Sequence, residues 1–315
     1  MTGIDIDRAR DLIRRQSDLA ARTVELLGAG TDSAAFRVDT DWVVRFPLVP
    51  EAQRTLRTEL ALLPYLARDL PVAVPYPEHI AEQDGQLVFS AYRALDGQPL
   101  SDAALSALAP PARTRALDEL TGLLDAIHCF PESVARAAGV SFELRKGAYH
   151  EAQQSLEHEL AGMLDSAERA TIARLRRTFE RVQQHSSTPV LLHADIKPAH
   201  LLHDPATGGL TGLLDWGDVS LGHPDFDLAI IGAFCGRQTL QGLLDRMDSA
   251  DAERVEASLP FLLIIRWLQD VSYTVGRGGD DELVDRGLRR LREELQKARR
   301  PGRTHVGDGQ DGLMR

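Results

Sequence analysis

The chain has 315 residues, a formal net charge of −11, 43% hydrophobic and 26% charged residues. That balance is ordinary for a soluble globular protein, and the length allows two lobes, each with its own core. The negative charge argues against non-specific binding to nucleic acid or to an anionic membrane surface, and mildly favours a cationic ligand.

In chain order, residues 5–17 are charged and periodic enough for a short amphipathic helix. Three strands are expected near Val24–Leu27, Ala35–Asp39 and Trp42–Phe46, the last with the clearest alternation. Between the first two lies the turn Gly28-Ala29-Gly30-Thr31-Asp32-Ser33. Its glycines would let backbone N–H groups approach a phosphate, although no GxxxxGK[ST] loop exists in the chain. Residues 50–63 predict a helix with Pro50 in its first turn, Leu56, Leu60 and Leu63 on one face and Glu59 at the edge of that stripe. Pro64 is expected to end or kink it. A hairpin around Asp84-Gly85 should lead into a strand over Leu87–Ser90.

After Tyr92 the pattern changes. The segment DGQPLSD resembles a linker, and helices are expected over 112–128, 149–184, 225–247, 251–275 and 280–298. The 258–275 segment is apolar nearly all round, so it should be buried; Arg266 and Asp270 interrupt it too early for a bilayer span. The tail from Arg299 has no apolar period and reads as disordered. The N-terminus is charged throughout, so no signal peptide is expected. The two cysteines, Cys129 and Cys235, form no CxxC pair, so neither a disulfide framework nor structural zinc is implied, and a reducing cytoplasm fits.

The chemistry concentrates in residues 191–227, LLHADIKPAHLLHDPATGGLTGLLDWGDVSLGHPDFD. Two apolar runs flank the turn Asp204-Pro205-Ala206-Thr207-Gly208-Gly209. A hairpin there would fold Asp195 and Asp215 back onto one another. Two carboxylates so placed can serve magnesium binding and phosphoryl transfer. A zinc site from His193, His200 and His203 is disfavoured, because no HExxH is present and the hairpin would point His203 away.

These parts resemble the protein-kinase-like fold. The closest resemblance is to the aminoglycoside phosphotransferases and their macrolide relatives, nearest to the 2″-aminoglycoside and macrolide branches. It rests on three runs: His193-Ala194-Asp195-Ile196-Lys197-Pro198-Ala199-His200, Leu214-Asp215-Trp216-Gly217-Asp218, and Gly222-His223-Pro224-Asp225-Phe226-Asp227-Leu228-Ala229. The resemblance implies an α+β, bilobal fold: a small β-rich N-terminal lobe over residues 1–90 and a larger helical lobe over 91–298. It implies Asp195 as catalytic base, Asp215 as the main Mg²⁺ carboxylate and His200 as a second ligand where many relatives have asparagine. Arg45 would hold the phosphates, paired with Glu59. Gly30, Thr31 and Ser33 would cover the phosphates, and backbone groups of Ser90, Ala91 and Tyr92 would read the base of ATP or GTP. Asp270, beside Trp267, would meet a cationic acceptor, unless it merely pairs with Arg266. His193 is expected to have a structural role, and Asp225 and Asp227 to hold the loop through backbone amides.

The implied activity is O-phosphorylation of a small hydroxylated antibiotic, an aminoglycoside first, by a monomer or dimer. Open alternatives are a macrolide 2′-phosphotransferase, an amino alcohol or sugar kinase, and a nucleotide-binding pseudokinase, which Arg45 and His200 would permit. Only seven residues separate Gly217 from Asp225, too few for the regulated activation loop of a protein kinase.

Overall fold

A computed structural model describes residues 4–30, 32–141, 158–182, 189–276 and 281–299. Thr31 and residues 300–315 of the expected tail lie outside the described residues, as do 149–157 and 183–184 of the expected 149–184 helix.

The first layer is a five-stranded antiparallel sheet in the order β1-β2-β3-β5-β4. Its strands are β1 (Val24–Ala29), β2 (Ser33–Val38), β3 (Trp42–Pro47), β4 (Pro77–Gln83) and β5 (Gln86–Arg93). Helix α1 (Ile6–Gln16) closes one face, burying Ala9 and Ile13 against a core that includes Phe36, Phe46 and Phe89. Its start is set by Asp5, whose side chain accepts from the Arg8 N–H.

Helix α2 (Pro50–Asp69) follows β3 and does not end at Pro64, which lies inside it. Proline costs a helical hydrogen bond, but here it sits on the exposed face, where water can satisfy the freed carbonyl. On either side of it Leu62, Leu63 and Leu66 are buried in the second, helical core, so packing carries the helix past the break. The first half of α2 thus turns Glu59 toward β3, while the second half is anchored in the other lobe.

That lobe contains β6 (Gln98–Pro99), α3 (Asp102–Ala107), α4 (Pro110–His128), α5 (Glu132–Ala137), α6 (Ser166–Val182), β7 (Val190–Leu192), β8 (Leu201–His203), β9 (Leu210–Leu213) and β10 (Ser220–Gly222). It ends in α7 (Asp225–Phe234), α8 (Arg237–Leu244), α9 (Ser249–Gly276) and α10 (Asp281–Arg299). The start of α6 carries a reciprocal cap: the Asp165 and Glu168 side chains each accept the other's backbone N–H. The single helix expected over 225–247 is two. Gly236 breaks it at φ 112°, and a Cβ there would lie 2.3 Å from an Asp102 oxygen. Asp102 uses that space to accept the Gln238 and Thr239 amides and so caps α8. Helix α9 buries nearly all of its circumference, as its composition predicts.

Candidate active site

The β8–β9 hairpin forms as the turn residues predict, with Leu201 opposite Leu213 and His203 opposite Leu210. The Leu214 N–H then donates to the His200 carbonyl at 2.8 Å, which delivers Asp215 beside His200. Ligand atoms of Asp195, His200 and Asp215 all lie within 4.8 Å of one another.

His193 ties the two ends together. Its Nδ1 accepts the Asp195 N–H at 3.2 Å, so its proton sits on Nε2, which donates to the Leu214 carbonyl at 3.0 Å. Its ring packs against buried Trp216. The expected structural role is therefore what the structure shows, and His203 points away to the Gln98 carbonyl, also as expected.

Both functional loops carry a non-glycine residue in the left-handed region, Ala194 at φ 64° and Asp215 at φ 60°. Each costs roughly 1–2 kcal/mol. Around Ala194 the cost is offset by Asp227, whose Oδ1 accepts the Ala194 N–H at 2.7 Å and whose Oδ2 accepts the His193 N–H at 3.2 Å. Hydrogen bonds to a charged group contribute roughly 1.5–3 kcal/mol each, so the clamp outweighs the strain. The Asp225 carboxylate pairs with Arg254 at 2.7 Å.

Asp195 is buried. Lys197, which the sequence reading passed over, donates to its Oδ2 at 2.8 Å. Its Oδ1 has no hydrogen-bond partner among the described residues. His200 uses Nδ1–H on the Asp195 carbonyl at 2.9 Å. Nε2 is left as a bare lone pair facing Asp215 Oδ2 at 3.3 Å. Two acceptors in that position require a proton or a cation between them. Burial holds the His200 imidazole below its ordinary pKa, against the pull of Asp215 and Asp195, which favours the neutral ligand form. The donor set of one carboxylate oxygen and one imidazole, with Asp195 adjacent, therefore fits a divalent ion, though imidazole is a softer partner than magnesium prefers.

From the sheet, Arg45 spans the same site. Its Nη1 meets Glu59 Oε2 at 2.7 Å and its Nη2 meets Asp215 Oδ1 at 3.4 Å. Burial opposes the Arg45 charge, but Glu59 and Asp215 overcome that and raise its pKa further. Burial raises the Glu59 carboxyl, with Arg45 opposing. Asp215 shows the reverse balance: burial pushes it up, and the charges of Arg45 and the neighbouring cationic side chains bring it below the ordinary carboxylate range.

Ser33, Arg45, Glu59, Asp215 and Asp218 line one cavity of about 630 Å³, with Asp32 and Tyr273 at its edge. Gly30 stands at the end of β1, its N–H on the Ser33 carbonyl. The Tyr273 hydroxyl donates to Asp32 at 2.6 Å, a contact from α9 to the glycine turn that no sequence pattern announces.

The expected base-reading residues lie within β5: the strand continues to Arg93, and Ser90 and Ala91 are paired on both sides, to Arg45 and Val44 on β3 and to Ile80 and His79 on β4. Tyr92 pairs with Val43 and Pro77, and burial raises its hydroxyl to a pKa of about 12. The chain crosses between the lobes after this point, over residues 94–97. Extending the alternation of Leu87 and Phe89 through Ala91 would have shown it.

On α9, Asp270 is paired with Arg266. Burial raises its carboxyl; Arg266 opposes this, while the charges of Asp218 and Asp195 add to it. Trp267 is buried between Phe234 and the Arg290 guanidinium, so its ring is packing rather than an open platform.

A sheet lobe with an Arg–Glu pair and a helical lobe whose hairpin brings Asp195, His200 and Asp215 together define a protein-kinase-like fold. Residues 23–262 match the phosphotransferase enzyme family, and the chain belongs to it. Among curated proteins it is similar to viomycin phosphotransferase of Streptomyces vinaceus, 31% identical over 103 residues, which cover 31% of this chain and 34% of that relative. The match thus spans about a third of that relative's length. The fold is shared with aminoglycoside 2′-phosphotransferase-IIIa, solved with GDP, at a TM-score of 0.83, 22% identity, and coverage of 93% of this chain and 99% of that one. It is also shared with macrolide 2′-phosphotransferase type I, at a TM-score of 0.67, 20% identity, and coverage of 92% and 99%.

Proposed function

We propose that this chain transfers the γ-phosphoryl group of Mg-ATP or Mg-GTP to a hydroxyl of a cationic antibiotic, with an aminoglycoside as the first expectation. The observation that carries the reaction is the bare Nε2 of His200 facing Asp215, beside a buried Asp195 whose Oδ1 has no partner among the described residues. Asp195 Oδ1 accepts the hydrogen bond of the acceptor hydroxyl and, late in transfer, its proton. Lys197 keeps Oδ2 occupied, so the free oxygen has one direction to face. Arg45 holds the phosphates with Glu59 fixing its fork. Ser33 and Gly30 would cover the phosphates from above. Asp215 and His200 would hold magnesium, which when bound supplies charge neutralisation at the phosphate oxygens. The purine edge would be read by backbone groups of the crossing segment after Arg93.

The substrate class rests on charge. Asp32, Glu51, Glu59, Asp215 and Asp218 share the cavity with Arg45. A carboxylate-rich wall suits ammonium or guanidinium groups, as in aminoglycosides, better than an apolar macrolide. The similar viomycin phosphotransferase supports an antibiotic acceptor and makes viomycin a second compound to try. A cytoplasmic location belongs to the same reading, because the nucleotide donor is found there. Among the described residues no helix is long and apolar enough to cross a membrane.

The test is nucleoside diphosphate release with ATP and with GTP against kanamycin, gentamicin, streptomycin, viomycin, a macrolide, and a panel of amino alcohols and sugars. Acceptor-dependent release with a cationic antibiotic is expected. Release only with the macrolide or a metabolite would overturn the substrate class. No release with any acceptor would overturn the transferase reading in favour of a nucleotide-binding pseudokinase.

A further inference from the structure

The clamp on the catalytic loop has a third member outside the motif. His128, the last residue of α4, places Nε2 3.1 Å from Asp227 Oδ2. Asp227 is fully buried, and both of its oxygens are already turned to the loop: Oδ1 to the Ala194 amide, Oδ2 to the His193 amide. The two amides hold the carboxylate from the loop side only, and His128 is the side-chain contact that braces Oδ2 from α4.

We propose that His128 is a positioning residue for phosphoryl transfer: by fixing the carboxylate of Asp227 it holds Ala194 in its left-handed conformation and thereby aims Asp195. This inference rests on the phosphotransfer reading above. Three observations support the chain of causes. Ala194 sits at φ 64°, a conformation that alanine avoids unless its surroundings impose it. The residue after it is Asp195, so a relaxed Ala194 redirects the Asp195 side chain by rotating the peptide that carries it. The His193 ring, which accepts the Asp195 N–H, is on the same segment and moves with it.

The surroundings of His128 separate this role from simple packing. A cavity of about 100 Å³ adjoins it, lined by Thr121, Asp125, Leu228, Met247 and Arg254 among others. Truncation to alanine would admit water there, and water could replace the donor in part. Phenylalanine is the stringent variant, because it fills the ring volume, uses the adjoining space and donates nothing. Glutamine is the conservative one, since its amide can reach the Nε2 position.

Three variants and two readouts test the proposal. His128→Phe should lower kcat by about tenfold, the factor expected for one lost hydrogen bond to a buried charge, while nucleotide Kd stays at the wild-type value. His128→Gln should restore most of kcat. Glycine adopts positive φ without strain, so Ala194→Gly added to His128→Phe should recover part of the loss. In parallel, amide hydrogen exchange over residues 190–197 should quicken in the Phe variant and return toward wild type in the Gln variant. Unchanged kcat and exchange in His128→Phe would overturn the proposal. So would equal losses in the Phe and Gln variants that track a fall in melting temperature. The exchange readout needs no acceptor. If the wild-type protein phosphorylates nothing, the functional reading fails by itself and the exchange result still decides whether His128 holds the loop.

Discussion

The hairpin end of the site and the α9 wall are built in opposite ways. At the hairpin, polar side chains are fixed mostly by backbone: His193 by Leu214 and Asp195, His200 by the Asp195 carbonyl, Asp227 by two amides, with Lys197 and His128 as the side-chain additions. On α9 they are fixed by one another or by packing: Asp270 by Arg266, Trp267 by Phe234 and Arg290. Backbone partners do not change when side chains do, so the first region can carry one reaction through many sequences. Side-chain partners can be exchanged pair by pair, so the second can be refitted to different acceptors. The difference teaches why a reaction is easier to read than a substrate.

The contrast can be broken at three points. The largest effect belongs to Asp195→Ala, which removes the base and should cut turnover by about a thousandfold while nucleotide binding persists. Turnover close to wild type would remove Asp195 from the mechanism. Next is Arg45→Ala. Glu59 is 1% exposed and already has one oxygen without a hydrogen-bond partner among the described residues, so losing the guanidinium should cost about 3 kcal/mol in a denaturant titration. Arg45→Lys keeps the charge but loses the fork to Asp215 and should cost less. If both variants unfold like wild type, the pair is not what joins the sheet to the hairpin. The smallest effect is expected on the α9 wall: Asp270→Asn should raise KM for a cationic acceptor by about tenfold with kcat nearly unchanged. An unchanged KM would assign Asp270 to Arg266 alone.

Much of the catalytic geometry was legible because it is local. The turn Asp204–Gly209 and its two apolar flanks specify a hairpin, and a hairpin brings its own ends together whatever surrounds it. Arg45 and Glu59 were legible for a related reason: strand alternation and helix periodicity each point a side chain, and the two directions meet. The missed features are tertiary. Strand β5 outlasts the expected Leu87–Ser90 because it runs on to Arg93, held by partners on both sides that no local pattern names. Pro64 was read as a stop because the leucines that carry α2 past it are buried by another lobe. Lys197 and His128 lie in plain motifs, two residues after Asp195 and at the end of α4, yet their partners depend on side-chain direction and on a contact across the fold. The Asp165–Glu168 cap did have a local signal, an acidic residue three positions before a glutamate.

The tip of the hairpin has a practical consequence. By composition, Asp204-Pro205-Ala206-Thr207-Gly208-Gly209 is the place where one would splice an epitope or a fluorescent reporter. The structure makes it a poor choice. Gly208, at φ 73°, lies so close to α4 that a Cβ would come within 2.1 Å of the Ala112 carbonyl, and the next residue but one, Leu210, donates its N–H to Glu119 at 2.7 Å. Cargo inserted there would pry the tip off its seat, and strands of three and four residues would pass the displacement to both aspartates. A fusion partner for this protein belongs at a terminus, and the polar tip is better treated as a rivet than as a free edge.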